Sequence, residues 1–116
     1  MISKYGEFTL EQIHKTKRLI QKSIFYLLLY VDPKEREKYK DVDVVAAFGT
    51  LQRKLNGLNS VLLEPPEVVM TISILEAALQ EYQSECFNWK IYRKLILDAG
   101  AEIMRIGEGD DYDYLQ

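Results

Sequence analysis

The sequence predicts an all-α fold: a single domain built as a four-helix bundle, antiparallel, in up-down-up-down order. Three observations predict it. Apolar residues recur at alternating spacings of three and four in four separate segments, the mark of a helix with one buried face. Short breaks containing Pro, Asp, Ser or Asn divide the segments, and short connections favour antiparallel neighbours. At 116 residues, 47% hydrophobic and 28% charged, the chain is long enough for one core without disulfide or metal staples.

The first segment, about 9–31, is the one the others would cover. Leu10, Ile13, Lys17, Ile20, Ile24, Leu27 and Val31 form its stripe, with Thr9 placed to cap it and Glu11 in the favourable first turn. Its second half is apolar on every side, since Phe25, Tyr26, Leu28, Leu29 and Tyr30 fill the other faces. Such a half is either central in the fold or part of an interface. The uninterrupted run Ile24–Val31 is far short of the roughly 20 residues a membrane span requires. Lys17 interrupts the stripe. Its stem is expected to lie along the core, with the ammonium on an acidic partner from residues 61–116, such as Glu102 or Asp98. Residues 1–8 read as an irregular lead-in.

Asp32-Pro33 stops this helix, because a residue before proline avoids the helical region. The charged stretch PKEREKYKD that follows suits either a helical turn or a solvated loop. Asp41 or Asp43 then caps a second helix, about 43–62, with Val44, Phe48, Leu51, Leu55, Leu58 and Leu62 as its stripe. Gly49 suggests a close helix crossing, and the register carries through Gly57 rather than ending there. Glu64-Pro65-Pro66 is the firmest boundary, with Pro66 suited to a first helical position. The third helix, about 66–83, has Val68, Ile72, Leu75, Leu79 and Tyr82 in line, widened by Met70, Ile74 and Ala78. Asn88 caps a fourth, about 88–106, whose stripe is Trp89, Tyr92, Ile96, Ala99, Ile103 and Ile106, with Gly100 as a second close-crossing candidate. Gly107 and Gly109 close the ordered chain. The acidic tail after them is expected to be flexible or to lie on a basic face of its own fold.

The residues offer little chemistry. His14 is the single histidine, and with Glu11 it forms one E-x-x-H unit, which carboxylate-bridged di-iron bundles need twice. Cys86 is the single cysteine, expected to be partly buried and inert, and too isolated for a four-ligand zinc site. No phosphate-cradling glycine loop is present. No enzyme activity, catalytic residue, metal or other cofactor is therefore expected. One cysteine and no apolar leader in MISKYGEF make the cytoplasm the expected compartment.

Charge is divided along the chain. Residues 1–60 hold eleven Lys/Arg against seven Asp/Glu, and residues 61–116 hold four against eleven, for a net −3. Three surfaces then stand out for binding. The aromatic face of the first helix comprises Phe25, Tyr26, Leu29 and Tyr30, and the tail adds Tyr112 and Tyr114. The basic face comprises Lys15, Arg18 and Lys22 and continues to Lys38 and Lys40. Exposed aromatics are common interface anchors. The expected function is thus a protein–protein interaction module, as an adaptor, inhibitor or regulatory subunit, with self-association as one form of it. The alternative is a nucleic-acid-associated regulator using the basic face and residues 34–40. No membrane partner is expected.

Overall fold

The computed structural model describes residues 2–3, 6–7 and 9–106. Capping fixes where its helices begin. Thr9 and Gln12 form a reciprocal box at the start of α1 (Leu10–Val31): the Gln12 amide donates to Thr9 Oγ1 at 3.1 Å and the Thr9 amide to Gln12 Oε1 at 2.9 Å. Asp43 accepts from the Ala46 amide at 3.0 Å and opens α2 (Val44–Val61). Pro66 is the first residue of α3 (Pro66–Tyr82). Asn88 accepts from Lys90 and Ile91 and opens α4 (Trp89–Ile103).

Two features of the chain ends differ from expectation. The lead-in contains a small hairpin, β1 (Ile2–Ser3) paired antiparallel with β2 (Gly6–Glu7). After α4, residues 104–106 continue as a turn with i to i−3 hydrogen bonds rather than as helix. The tail after residue 106 lies outside the described residues. The stretch after α1 is a succession of turns, closed by Glu35 to Asp32, Lys38 to Glu35, Tyr39 to Arg36 and Val42 to Tyr39.

Among the described residues the architecture is all-helical apart from that hairpin. α1 packs on α2 and α4, and α3 packs on the same two. The stripes read from the sequence meet in one core, including Ile13, Ile24, Leu27, Phe48, Leu55, Leu75, Ile96 and Ile103. In α3 the stripe is rotated from the expected one. Thr71 and Ala78 are fully buried, while Ile72, Leu79 and Tyr82 are half-buried and Met70 is exposed. Thr71 tolerates the core because its hydroxyl donates to the Glu67 carbonyl at 2.7 Å, which removes the cost of an unpaired buried hydroxyl. The close-crossing reading of Gly49 also fails. A Cβ there would meet only Arg53 of its own helix, at 3.5 Å. At Gly57 a Cβ would meet nothing within 4 Å, and α2 runs through it as expected.

α2 ends in a Schellman motif. The Glu64 amide donates to the Asn59 carbonyl at 2.8 Å and the Leu63 amide to Ser60 at 3.4 Å. The motif demands a left-handed residue, usually glycine, yet Leu63 occupies it with φ 62°, followed by Glu64 at φ 58°. An L-residue is strained there by roughly 1–2 kcal/mol. The Leu63 side chain is 59% exposed, so little packing would be lost on its removal. Leu63→Gly is therefore expected to raise stability by about 0.5–1 kcal/mol, read as a higher midpoint in urea with an unchanged slope.

Candidate functional site

Among the described residues, three polar contacts join α1 to α4 and the turn that follows it, in addition to apolar packing. Lys17, 2% exposed, donates from Nζ to the Ile106 carbonyl at 2.9 Å. Gln21 Nε2 donates to the Gly100 carbonyl at 3.4 Å. The Tyr92 hydroxyl donates to the Leu27 carbonyl at 2.6 Å. As residue numbers rise along α1 (17, 21, 27), their partners fall along the last segment (106, 100, 92).

The expected stem-over-core placement of Lys17 holds. Neither suggested carboxylate takes its ammonium in a hydrogen bond or ion pair seen here: Asp98 pairs with Lys94 at 2.9 Å, and Glu102 pairs with Arg105 at 3.2 Å. The reason is geometric. Lys94 and Arg105 sit four and three residues away on the same helical segment, where such charge pairs meet. The Ile106 carbonyl accepts the ammonium instead, in the turn just past the C-terminus of α4, where the negative end of the helix dipole suits a cation.

Between these contacts lies a groove of about 330 Å³. Ile24 and Ile96 form its floor, both almost wholly buried. Phe25, 49% exposed, and Leu97, 41% exposed, form apolar walls from the two helices. Arg18 and Lys22 stand on the α1 rim. The sequence sets this arrangement locally. Arg18 and Phe25 each stand one position after a buried stripe residue, Lys17 and Ile24, and Lys22 falls between them at four–three spacing, so the three share the flank next to the core. Gly100 completes the groove. A Cβ added there would make ordinary contacts, 3.9 Å to Gln21 Cγ and 4.0 Å to Ile24 Cγ2. The glycine thus leaves space at the groove wall rather than relieving a tight crossing.

A second groove runs along the other flank of α1, against α2, with Leu19, Lys22, Ser23, Tyr26 and Lys54 among its walls and a volume of about 460 Å³. Leu19 is exposed there. The structure therefore divides the expected aromatic face. Phe25 belongs to the α4 side. Tyr26 lies on the α2 side, stacked on Tyr30 with centroids 5.9 Å apart. Tyr30 is half-buried against the core and meets Tyr39 of the turn segment edge-on at 5.2 Å. Leu29 is half-buried. Tyr112 and Tyr114 lie outside the described residues.

The basic residues divide as well. Lys15 is exposed and pairs with Glu11 at 3.5 Å, and Lys40 pairs with Glu37 at 3.4 Å. Lys38 stands 5.5 Å from the Tyr39 ring centroid. Arg18 and Lys22 form no ion pair among the described residues, so the open positive charge of α1 is concentrated on the rim beside Phe25. Lys22 borders both grooves.

His14 is exposed, as is Glu11. Cys86 is exposed in the turn before α4, not partly buried as expected; the neighbouring Phe87, not Cys86, turns toward Tyr92. Among the described residues no three His, Cys, Asp or Glu side chains come together. No helix of the described residues is long and apolar enough to cross a membrane. No family model, curated protein or solved structure matches the chain.

One feature escaped the sequence reading. Tyr92 is a hub, with Phe48, Tyr82, Phe87 and Trp89 within 6.4 Å between centroids, and it is fully buried. Spacing marked it as a stripe residue. The signal that would have raised its standing is a hydroxyl at a core position, which needs a partner. Burial, and secondarily the neighbouring Tyr82, push its ionisation well above the ordinary tyrosine range. The sign follows: above pH 10 the unfolded chain releases this proton and the folded chain keeps it. Stability should therefore fall by up to about 1.4 kcal/mol per pH unit above pH 10 from this group alone. Tyr92→Phe is expected to lose about 1 kcal/mol at neutral pH and to show a flatter decline between pH 10 and 12 in urea titrations. Parallel declines for the two proteins would contradict this reading.

Proposed function

We propose that the chain is a non-catalytic protein–protein interaction module of the cytoplasm. It would present the α1–α4 groove to an acidic, aromatic-bearing segment of another protein. In this reading the four helices form an antiparallel up-down-up-down bundle, with α1 as the recognition element. One observation carries the proposal: an apolar groove, with half-exposed Phe25 and Leu97, opens directly beneath two cations that form no ion pair among the described residues. Apolar walls supply binding energy when they are desolvated, and a few placed charges select orientation and partner.

Arg18 and Lys22 are too few, and the residue 34–40 cations too mixed with Glu35 and Glu37, to favour a phosphate backbone over a protein. Self-association through the same face would satisfy the apolar walls but would set the basic rims of two copies against each other.

The test is comparative capture from a cytosolic extract with the native chain, Leu97→Glu and a control substitution such as Gln80→Glu. A captured protein is then purified and titrated while amide shifts are followed. The expected result is capture by the native and control chains, at least tenfold weaker binding by Leu97→Glu, and shifts at Phe25, Leu97 and Gly100. Leu97→Glu binding that matches the native chain, or shifts confined to residues 34–40, would overturn the proposal. So would a preference for oligonucleotides with a steep salt dependence.

A further inference from the structure

We infer that copies of this chain assemble head to tail, with the outer face of α3 in one copy seated in the α1–α2 groove of the next.

The groove supplies an apolar trough with uncompensated positive charge. Ile20 and Leu51, both buried, form its floor, and Leu19, 68% exposed, stands on its wall. A second depression shares Ser23, Tyr26, Leu51 and Lys54 with it and carries it on to Tyr30. From Thr16 to Tyr30 the helix rises about 21 Å. Lys22 and Lys54 stand exposed along this length and form no ion pair among the described residues. Residues 12–31 and 44–61 contain no Asp or Glu, so nothing on the two helices beside the groove offsets these cations.

The outer face of α3 matches the groove in length and opposes it in charge. It runs from Pro66 through Val69, Met70, Ser73 and Glu76 to Gln80, all exposed, again about 21 Å of rise. Residues 55–89 hold five Glu and no Asp, Lys or Arg. Glu67 and Glu76 form no ion pair among the described residues. A helix laid between two others packs its ridge into their groove, and the small Ser73 in mid-face permits close approach. Val69 and Met70 then bury against the apolar trough while the glutamates face Lys22 and Lys54. Trough and ridge belong to the same molecule, so every copy brings both halves of the contact.

The fold also sets the form of the assembly. Among the described residues, α3 packs on the same two neighbours as α1 and has no extensive contact with α1 itself. Its outer face therefore points away from the α1–α2 groove, and two copies cannot fill each other's grooves around one two-fold axis. Each contact leaves a free groove at one end and a free α3 face at the other. Such heterologous contacts add further copies into rings or filaments. The contact uses neither Phe25 nor Leu97, so it stands apart from the α1–α4 proposal.

The test is sedimentation of the full chain over rising concentration, with reductant present because Cys86 is exposed. The mean mass of the native chain is expected to rise from 13.6 kDa and to pass the dimer as the concentration approaches about 1 mM. Two variants separate the faces: Met70→Lys spoils the α3 face, and Leu19→Gln with Lys54→Gln spoils the groove. All three substitutions are at exposed helical positions and bring in good helix formers. Each variant alone should associate about tenfold more weakly. Mixed in equal amounts, the two should form a one-to-one dimer with near-native affinity and stop there, since only one intact groove and one intact α3 face remain to meet. Glu76→Lys serves as a second α3-face variant should Met70→Lys not fold. A native chain that stays monomeric, an assembly that arrests at the dimer, or a mixture no heavier than its separate components would overturn the inference.

Discussion

The contact on which the rest of the structure depends is the one between Lys17 and the carbonyl of Ile106. A lysine in the middle of a buried stripe is costly unless its ammonium finds acceptors. The turn after α4 offers the buried Ile106 carbonyl beside the negative end of a helix dipole, and burying a carbonyl without a donor would be costly too. Each element answers the other's deficit, and the two are thereby held in register. With Gln21 on Gly100 and Tyr92 on Leu27, the register extends over about 15 Å of α1. The groove is a consequence of that register, because it sets Phe25 opposite Leu97 and leaves Gly100 as open space between them.

Much of the helical framework was legible because local signals and core packing agree. Thr9, Asp43 and Asn88 cap where side-chain chemistry says they should, and Pro66 starts α3 as its fixed φ requires. The misreadings share a cause: they occur where a polar or special residue is satisfied by something outside its own spacing pattern. Thr71 enters the core on a bond to its own helix, and Leu63 takes a conformation that its type disfavours because the chain must turn before Pro65. Lys17 was recognised as a stem in the core, but the backbone carbonyl it reaches, 89 residues away, is one that no side-chain pattern encodes.

The site was legible only in pieces. Phe25, Arg18 and Lys22 were each marked, but as members of separate aromatic and basic faces. Their union depends on Leu97 and Gly100 from α4, and spacing within α1 carries no information about that helix. Conversely, Tyr26 and Tyr30 looked like neighbours of Phe25 in sequence, and the 100° advance per residue sends them toward α2. Cys86 and His14, the residues that most invite chemistry, are both exposed and stand apart from the groove.

A buried cation fixes α1 to α4 and so preforms the groove. Amide hydrogen exchange of the native chain and of Lys17→Met tests it most directly, since methionine keeps the apolar stem and removes the donor. Amides of residues 13–21 and 99–103 are expected to exchange faster together in the variant. The increase should be about tenfold, corresponding to the loss of roughly 1.4 kcal/mol, with the α2–α3 contact unchanged. Exchange that is unaltered, or that quickens in α1 alone while the end of α4 keeps its protection, would contradict it.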